Sequence, residues 1–271
     1  MKLIFDIGNT RIKWALWDGA QLTNSSVLVV AGLSSIHIEQ AFKVYVGSFT
    51  TESVSGLTGD QAQVLKKIES IWVSNVGSVD VLQKLAEWFQ RHLSLPFNVV
   101  EVARKSGELI NGYKSLELLG VDRWMAAIGA RKLLPNKDVI MIDAGTAVTI
   151  DWLSDEGRFE GGVILPGFDL MRDGLLSSTE SIDVIHEEFR FPIDGQIIGR
   201  DTSECVNYGI SLGLIGGIEK IVTQMKNVIN RPVSVVLTGG SASLMSTQFS
   251  FDVFVQSDLV LLGVIEMAEQ N

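Results

Sequence analysis

KLIFDIGNTRIKWALWDG, residues Lys2–Gly19, returns half a chain later as VIMIDAGTAVTIDWLSDEG, residues Val139–Gly157. Both stretches run an apolar segment into an Asp-x-Gly turn rich in Thr or Asn, then a second strand-like segment, then an acidic turn ending in Gly. A repeat of about half the chain length is unlike the short periods of solenoids and predicts two similar halves facing each other. Each half opens with a strand that delivers an Asp and a Gly-led loop to one cleft. Two such loops suit a nucleoside triphosphate and its metal.

The rest of the chain fills in an α/β order. Leu3–Ile7 and Ile12–Trp17 read as strands joined through Gly8-Asn9-Thr10, with Asp18-Gly19 a hairpin-type turn. Ile71–Ser74 is a further strand that enters a loop at Asn75, Val76 and Gly77. Val81, Leu82, Leu85, Phe89 and Leu93 fall at helical spacing, with Asp80 as N-cap and Pro96 past the end. Phe97–Val102 resumes a strand. The pattern loosens from Ala103 to Leu119, the expected crossing between halves, before a helix from Val121 to Leu134 and a buried strand at Val139–Asp143. Gly161–Gly167 reads as a Gly-flanked strand and turn, Thr202–Ile229 as a long helix, and Val233–Leu237 as a strand running into Thr238-Gly239-Gly240-Ser241. Strand pairs alternating with helices predict a mixed rather than a purely parallel sheet. Gly209, Gly213, Gly216 and Gly217 are costly in a helix, about 1 kcal/mol each relative to Ala, and predict close approach to another helix or a ligand.

Composition removes several function classes. The 271 residues, 46% hydrophobic with 5 Pro, allow a large core and two domains. A net charge of -10 with no basic cluster argues against nucleic acid and anionic membranes as partners. Tyr208–Ile218 is interrupted by Ser211 and by glycines and falls short of the ~20 apolar residues a membrane span needs. No signal peptide is evident, so a cytoplasmic location is expected. Cys205, the single cysteine, reads as a small buried thiol. His37, His92 and His186 show no metal-ligand spacing. No Walker-type loop or protein-kinase signature is present.

Phosphoryl transfer nevertheless has its parts. Asp6 is the natural Mg²⁺ anchor, since this ion takes one or two carboxylates and fills its other positions with water and phosphate. Amides around Gly8, Asn9 and Thr10 can bind phosphate oxygens, with Thr10, Arg11 or Lys13 adding donors or charge. Asp143 can hold a second cation, or the same one through water. Asp122 is either a general base or an ordinary helix N-cap. Arg123 can pair with Asp122, pair with another carboxylate, or bind a substrate carboxylate bidentately.

These residues resemble the type III pantothenate kinases, in the acetate and sugar kinase, Hsp70 and actin superfamily. The resemblance spans nearly the whole chain. It rests on Asp6-Ile7-Gly8-Asn9-Thr10, Gly112-Tyr113-Lys114, Gly120-Val121-Asp122-Arg123, Asp143-Ala144-Gly145-Thr146, Gly161–Gly167 and Thr238-Gly239-Gly240, in that order. It implies two similar ribonuclease H-like, actin-like ATPase domains, residues 1–117 and 118–271, with mixed sheets flanked by helices and a nucleotide cleft between them. It further implies ATP-dependent phosphorylation of pantothenate to 4'-phosphopantothenate, the first step of coenzyme A biosynthesis. ATP would contact Asp6, Ile7, Gly8, Asn9, Thr10, Arg11, Ile12, Lys13 and Thr146. Pantothenate would contact Tyr113, Gly120, Val121, Asp122, Arg123 and Thr202, with Asp122 as proton acceptor. The cofactors implied are Mg²⁺ at Asp6 and K⁺ or NH₄⁺ at Asp143, and the implied assembly is a homodimer with the Gly-rich helix contributing.

Two segments depart from the family pattern. Lys114-Ser115-Leu116-Glu117 lacks the usual Asn-Pro pair, and Ser177–Phe191 lacks a Leu-Pro landmark. Relatives described as accessory regulators of transcription share the fold, so the rival readings are a non-catalytic regulator and a superfamily enzyme acting on another small alcohol or on water.

Overall fold

Alternation of apolar residues builds the first sheet. In the computed structural model, which describes residues 1–30, 33, 67–179, 190–192 and 197–270, strand β1 (Lys2–Ile7) and strand β2 (Arg11–Trp17) pair antiparallel. They send Leu3, Phe5, Ile7, Ile12, Trp14 and Leu16 into one core. Strands β3 (Leu22–Val29), β4 (Ser70–Asn75) and β5 (Phe97–Val99) complete a sheet of order β3-β2-β1-β4-β5, with β4 parallel to both β1 and β5. Helix α1 (Val79–His92) covers the apolar face with Val81, Leu85, Trp88 and Phe89. Phe5 and Phe89 meet edge to face at 5.5 Å. Each such fully buried side chain contributes about 1.5–3 kcal/mol.

Local differences from expectation have local causes. Helix α1 is capped by Ser78, whose Oγ accepts from the Asp80 amide at 3.2 Å. Asp80 lies instead in the first turn, paired with Lys84 at 2.7 Å. The strand expected over Phe97–Val102 pairs with β4 only through Val99. The expected crossing holds a small hairpin, β6 (Lys105–Ser106) and β7 (Leu109–Asn111), followed by a 3₁₀ turn at Leu116–Leu118.

The second sheet repeats the plan of the first. Helix α2 (Val121–Leu133) leads to β8 (Asp138–Ala144), β9 (Ala147–Leu153) and β10 (Arg158–Pro166), then to α3 (Phe168–Ser177) and α4 (Thr202–Ile229). After these come β11 (Val233–Thr238), the short α5 (Ala242–Met245), β12 (Phe254–Val255) and α6 (Leu259–Gln270). The order is β12-β11-β8-β9-β10-β7-β6. β8-β9 and β9-β10 are antiparallel, while β8-β11 and β11-β12 are parallel. Strands β8 to β12 therefore reproduce the order and directions of β1 to β5, and the chain is an α/β protein of two mixed sheets flanked by helices. Ile140, Ile142, Val148 and Ile150 pack with Leu214, Ile215, Ile218 and Val222 of α4.

Two compact units result: Met1–Glu108 with Lys114–Leu133 and Leu259–Asn271, and Leu109–Tyr113 with Leu134–Asp258. A single boundary after residue 117 would assign α2 and α6 to the second unit. They belong to the first because α6 rests on β1, β2 and β4 while α2 packs on α6. The helix contact is so close that a Cβ on Gly263 would stand 1.9 Å from the Met125 carbonyl oxygen. Lys2 ties the other end of α6, donating to the Ala268 carbonyl and pairing with Glu269 at 3.1 Å.

Helix α4 corrects one expectation. Cys205 is exposed rather than buried, because the buried face of the helix runs through Val206, Leu214, Ile218 and Val222 instead. Among the described residues, a Cβ on Gly209, Gly213, Gly216 or Gly217 would meet nothing within 4 Å. By length and composition α4 could cross a membrane, but its apolar face forms the core of the second unit. Of the atypical segment 177–191, residues 180–189 lie outside the described residues.

Asp138 anchors the start of β8. It is 2% exposed, accepts from the Trp152 indole at 2.9 Å, and is held bidentately by Arg231, which also reaches Asp155 at 2.7 Å. Burial pushes its carboxyl up, but hydrogen bonds from Arg231 and Trp152 and the Arg231 charge outweigh this and hold it below the usual aspartate range. A depressed folded pKa contributes stability above the unfolded value of about 3.9, and that contribution disappears as pH falls through the folded value. Asp138→Asn is expected to lose about 1–3 kcal/mol at pH 7. In urea unfolding followed against pH, the gap from wild type should close as pH falls below the usual aspartate range; a constant gap would refute the charge-based account.

Candidate active site

Each unit ends its central strand in a carboxylate. In the first unit Asp6 lies on β1 between Lys13 of β2 and Ser74 of β4, all three in register on one face. Beyond it the chain turns through Gly8, Asn9 and Thr10, closed by the Gly8 amide on the Arg11 carbonyl at 2.9 Å and by the Val30 amide on the Thr10 carbonyl at 2.9 Å. Asn9, Thr10 and Arg11 are exposed and Lys13 is half-buried. The loop is held from behind by the segment after β4, where a Cβ on Gly77 would stand 2.5 Å from the Gly8 carbonyl oxygen. Only glycine fits there.

Asp122 joins the same end of the same unit. It sits in the first turn of α2, with Oδ1 accepting from the Arg123 amide at 2.8 Å. It is therefore inside the helix and not at the N-cap. Gly120 lies against Asp122 and Val76, the residue that follows β4. The sequence-derived candidates Asp6 to Lys13 and Gly120 to Arg123 thus converge within one unit. Arg123 is only 6% exposed.

The second unit repeats the arrangement around Asp143, between Thr149 of β9 and Thr238 of β11. The loop at Gly145 and Thr146 is closed by the Gly145 amide on the Ala147 carbonyl at 3.1 Å, and the Gly167 amide donates to the Thr146 carbonyl at 3.0 Å. Gly239, at φ 95°, is the counterpart of Gly77: a Cβ there would lie 2.5 Å from both Asp143 Oδ1 and the Ala144 carbonyl oxygen. Tyr113 and Thr202 stand elsewhere in this unit, Tyr113 after β7 and Thr202 exposed at the start of α4, whose N-cap is Asp201.

The donor sets suit particular ions. Among the described residues no group of three or more His, Cys, Asp or Glu could hold a metal. A lone strand-end carboxylate such as Asp6 fits Mg²⁺ shared with nucleotide phosphates. Asp143 Oδ1 and the Ala144 carbonyl oxygen lie together beside Gly239, and oxygen donors suit a hard cation. Sequence reasoning named Gly77 only as a loop residue and did not assign it or Asn111 to the site. The signal for Asn111 was its place two residues before Tyr113, where Asn makes a local turn.

The family model for type III pantothenate kinase matches residues 2–224 of this chain. A type III pantothenate kinase from Teredinibacter turnerae is 30% identical over 271 residues, covering 99% of each chain. Among solved structures, a candidate Baf family transcriptional activator from Campylobacter jejuni has a TM-score of 0.55 at 18% identity, over 99% of this chain and 98% of its own. A candidate N-acetylmannosamine kinase from Listeria monocytogenes has a TM-score of 0.50 at 16% identity, over 100% and 99%. At these identities the two structures speak for the fold alone.

Proposed function

The chain belongs to the type III pantothenate kinase family, and from that premise we infer that it transfers the γ-phosphoryl group of ATP to the hydroxyl of pantothenate. The product is 4'-phosphopantothenate, the entry to coenzyme A. The observation that carries the site assignment is the convergence of Asp6, the Gly8–Lys13 loop and Asp122 at one end of the first unit.

Membership of the family supports a role for each residue. Amides and side chains from Asp6 to Lys13 hold the phosphates, and Thr146 adds a contact to ATP. Asp6 would hold Mg²⁺ together with phosphate oxygens. The bound ion supplies charge neutralisation on the transferring group. Gly120, Val121, Arg123, Tyr113 and Thr202 receive pantothenate. As its oxygen bonds to the γ-phosphorus and the bond to ADP breaks, the hydroxyl proton passes to the Asp122 carboxylate. Asp143 would hold K⁺ or NH₄⁺. Positioning and charge carry the acceleration, because phosphoryl transfer asks little covalent chemistry of the protein. A non-catalytic regulator would need no base, so the presence of Asp6, Asp122 and Asp143 together favours the kinase.

A homodimer completes the proposal. The open glycines of α4, beside Leu212 at 42% exposure, would let a second copy approach the helix backbone closely. Sedimentation equilibrium should return twice the chain mass; a monomer at micromolar concentration would overturn this part.

Transfer of labelled phosphate from ATP to pantothenate tests the function. The purified protein should form labelled product with Mg²⁺ and K⁺ and lose most of it when Na⁺ replaces K⁺. ATP hydrolysis without an acceptor would point to a hydrolase instead. Asp122→Asn should retain ATP binding while turnover falls about 10²-fold or more; near wild-type turnover would remove Asp122 from the base role.

A further inference from the structure

Tyr113 is held by a frame built from β7 and β10. Asn111, the last residue of β7, is 0% exposed, and its Oδ1 accepts a hydrogen bond from the Tyr113 amide at 2.9 Å. This closes an Asx turn over Gly112, whose own amide donates to the Phe159 carbonyl at 2.9 Å. The Tyr113 ring then packs on Phe159, 6.3 Å between centroids. Beside it lies Gly161 at φ 100°, where a Cβ would stand 3.7 Å from the ring. Asn111 and Phe159 are partners in the β7-β10 ladder, so the turn and the ring's support come from one register position.

We propose that Asn111 is a positioning residue for pantothenate: it aims Tyr113 through the Asx turn, so that the tyrosine forms a preset wall of the substrate pocket. The proposal rests on the assignment of Tyr113 to that pocket. A tyrosine on a loop after a three-residue strand would otherwise sample several backbone directions, and binding would have to order it at a cost in affinity. The turn removes that freedom before the substrate arrives. Asn111 acts on Tyr113 through the turn and the β7-β10 ladder, so its influence should fall on pantothenate.

A double-mutant cycle separates positioning from general support. Asn111→Leu keeps the side-chain size and removes the acceptor. It is expected to raise KM for pantothenate on the order of tenfold, with KM for ATP within about twofold of wild type. In a Tyr113→Ala background the same change should have less than about a twofold effect, because the residue it aims is gone. Asn111→Ser, whose hydroxyl makes the same turn more weakly, should fall between wild type and Leu, and it carries the cycle if the Leu variant fails to fold. Full additivity of the two substitutions would overturn the positioning role while leaving Tyr113 in the pocket. An unchanged pantothenate KM in Tyr113→Ala alone would remove Tyr113 from the pocket, and the role of Asn111 with it. Equal rises in both KM values would show that Asn111 merely supports the fold.

Discussion

Where β1 runs beside β4, the Ile7 carbonyl accepts from two successive amides, Val76 at 2.9 Å and Gly77 at 3.1 Å. That doubled acceptance turns the chain after β4 back across the end of β1 and brings Gly77 onto the Gly8 carbonyl. The loop after Asp6 therefore has a floor made of main chain. Without it, the exposed residues Asn9 and Thr10 would be fixed only by the loop's own closing bonds. A phosphate site made from amides needs those amides already aimed, since ordering a loop costs about 1–2 kcal/mol per residue. The parallel pairing of β1 with β4 supplies that order. The pairing of β8 with β11 does the same for Asp143, through Gly239 rather than Gly77.

The second constraint acts through α2. Its N-terminus must meet the end of β4 for Asp122 to share a neighbourhood with Asp6, and this depends on the depth to which α2 sinks against α6. Gly129 and Gly263 let the two helix backbones nearly touch. Lys2 and Trp17 then clasp Glu269 at the far end of α6, at 3.1 Å each. Helix α6 thus seats α2, and with it Asp122, against the first sheet.

Much of this was legible in the sequence, for identifiable reasons. The Asp-x-Gly strand ends could be read because strand period and turn chemistry act over a few neighbouring residues. The mixed sheets followed from the order of those elements. What stayed hidden depends on contacts between distant residues. The register of Asp6 with Ser74 spans a long excursion of chain, and nothing local announces it. Ser78 and Asp80 are both good caps two residues apart, and only the helix start chooses between them. Cys205 looked like a core thiol because a single cysteine is most often a small buried residue, and the buried face of α4 is set by what packs against it. Asn111 carried a local turn signal, but the ladder that sets Phe159 opposite it joins distant residues and could not be read.

The contact between Gly77 and Gly8 joins main chain to main chain, and so does that between Gly239 and Ala144. The main-chain part of each contact needs no side chain to match another. Once a duplicated unit has the glycine, its loop can change lettering freely, from Ile-Gly-Asn-Thr in one half to Ala-Gly-Thr in the other, and still sit at the same height above its strand. Likeness between the halves can then fade from the sequence long before it fades from the architecture. The shared Asp and Gly are what the two halves still spell alike.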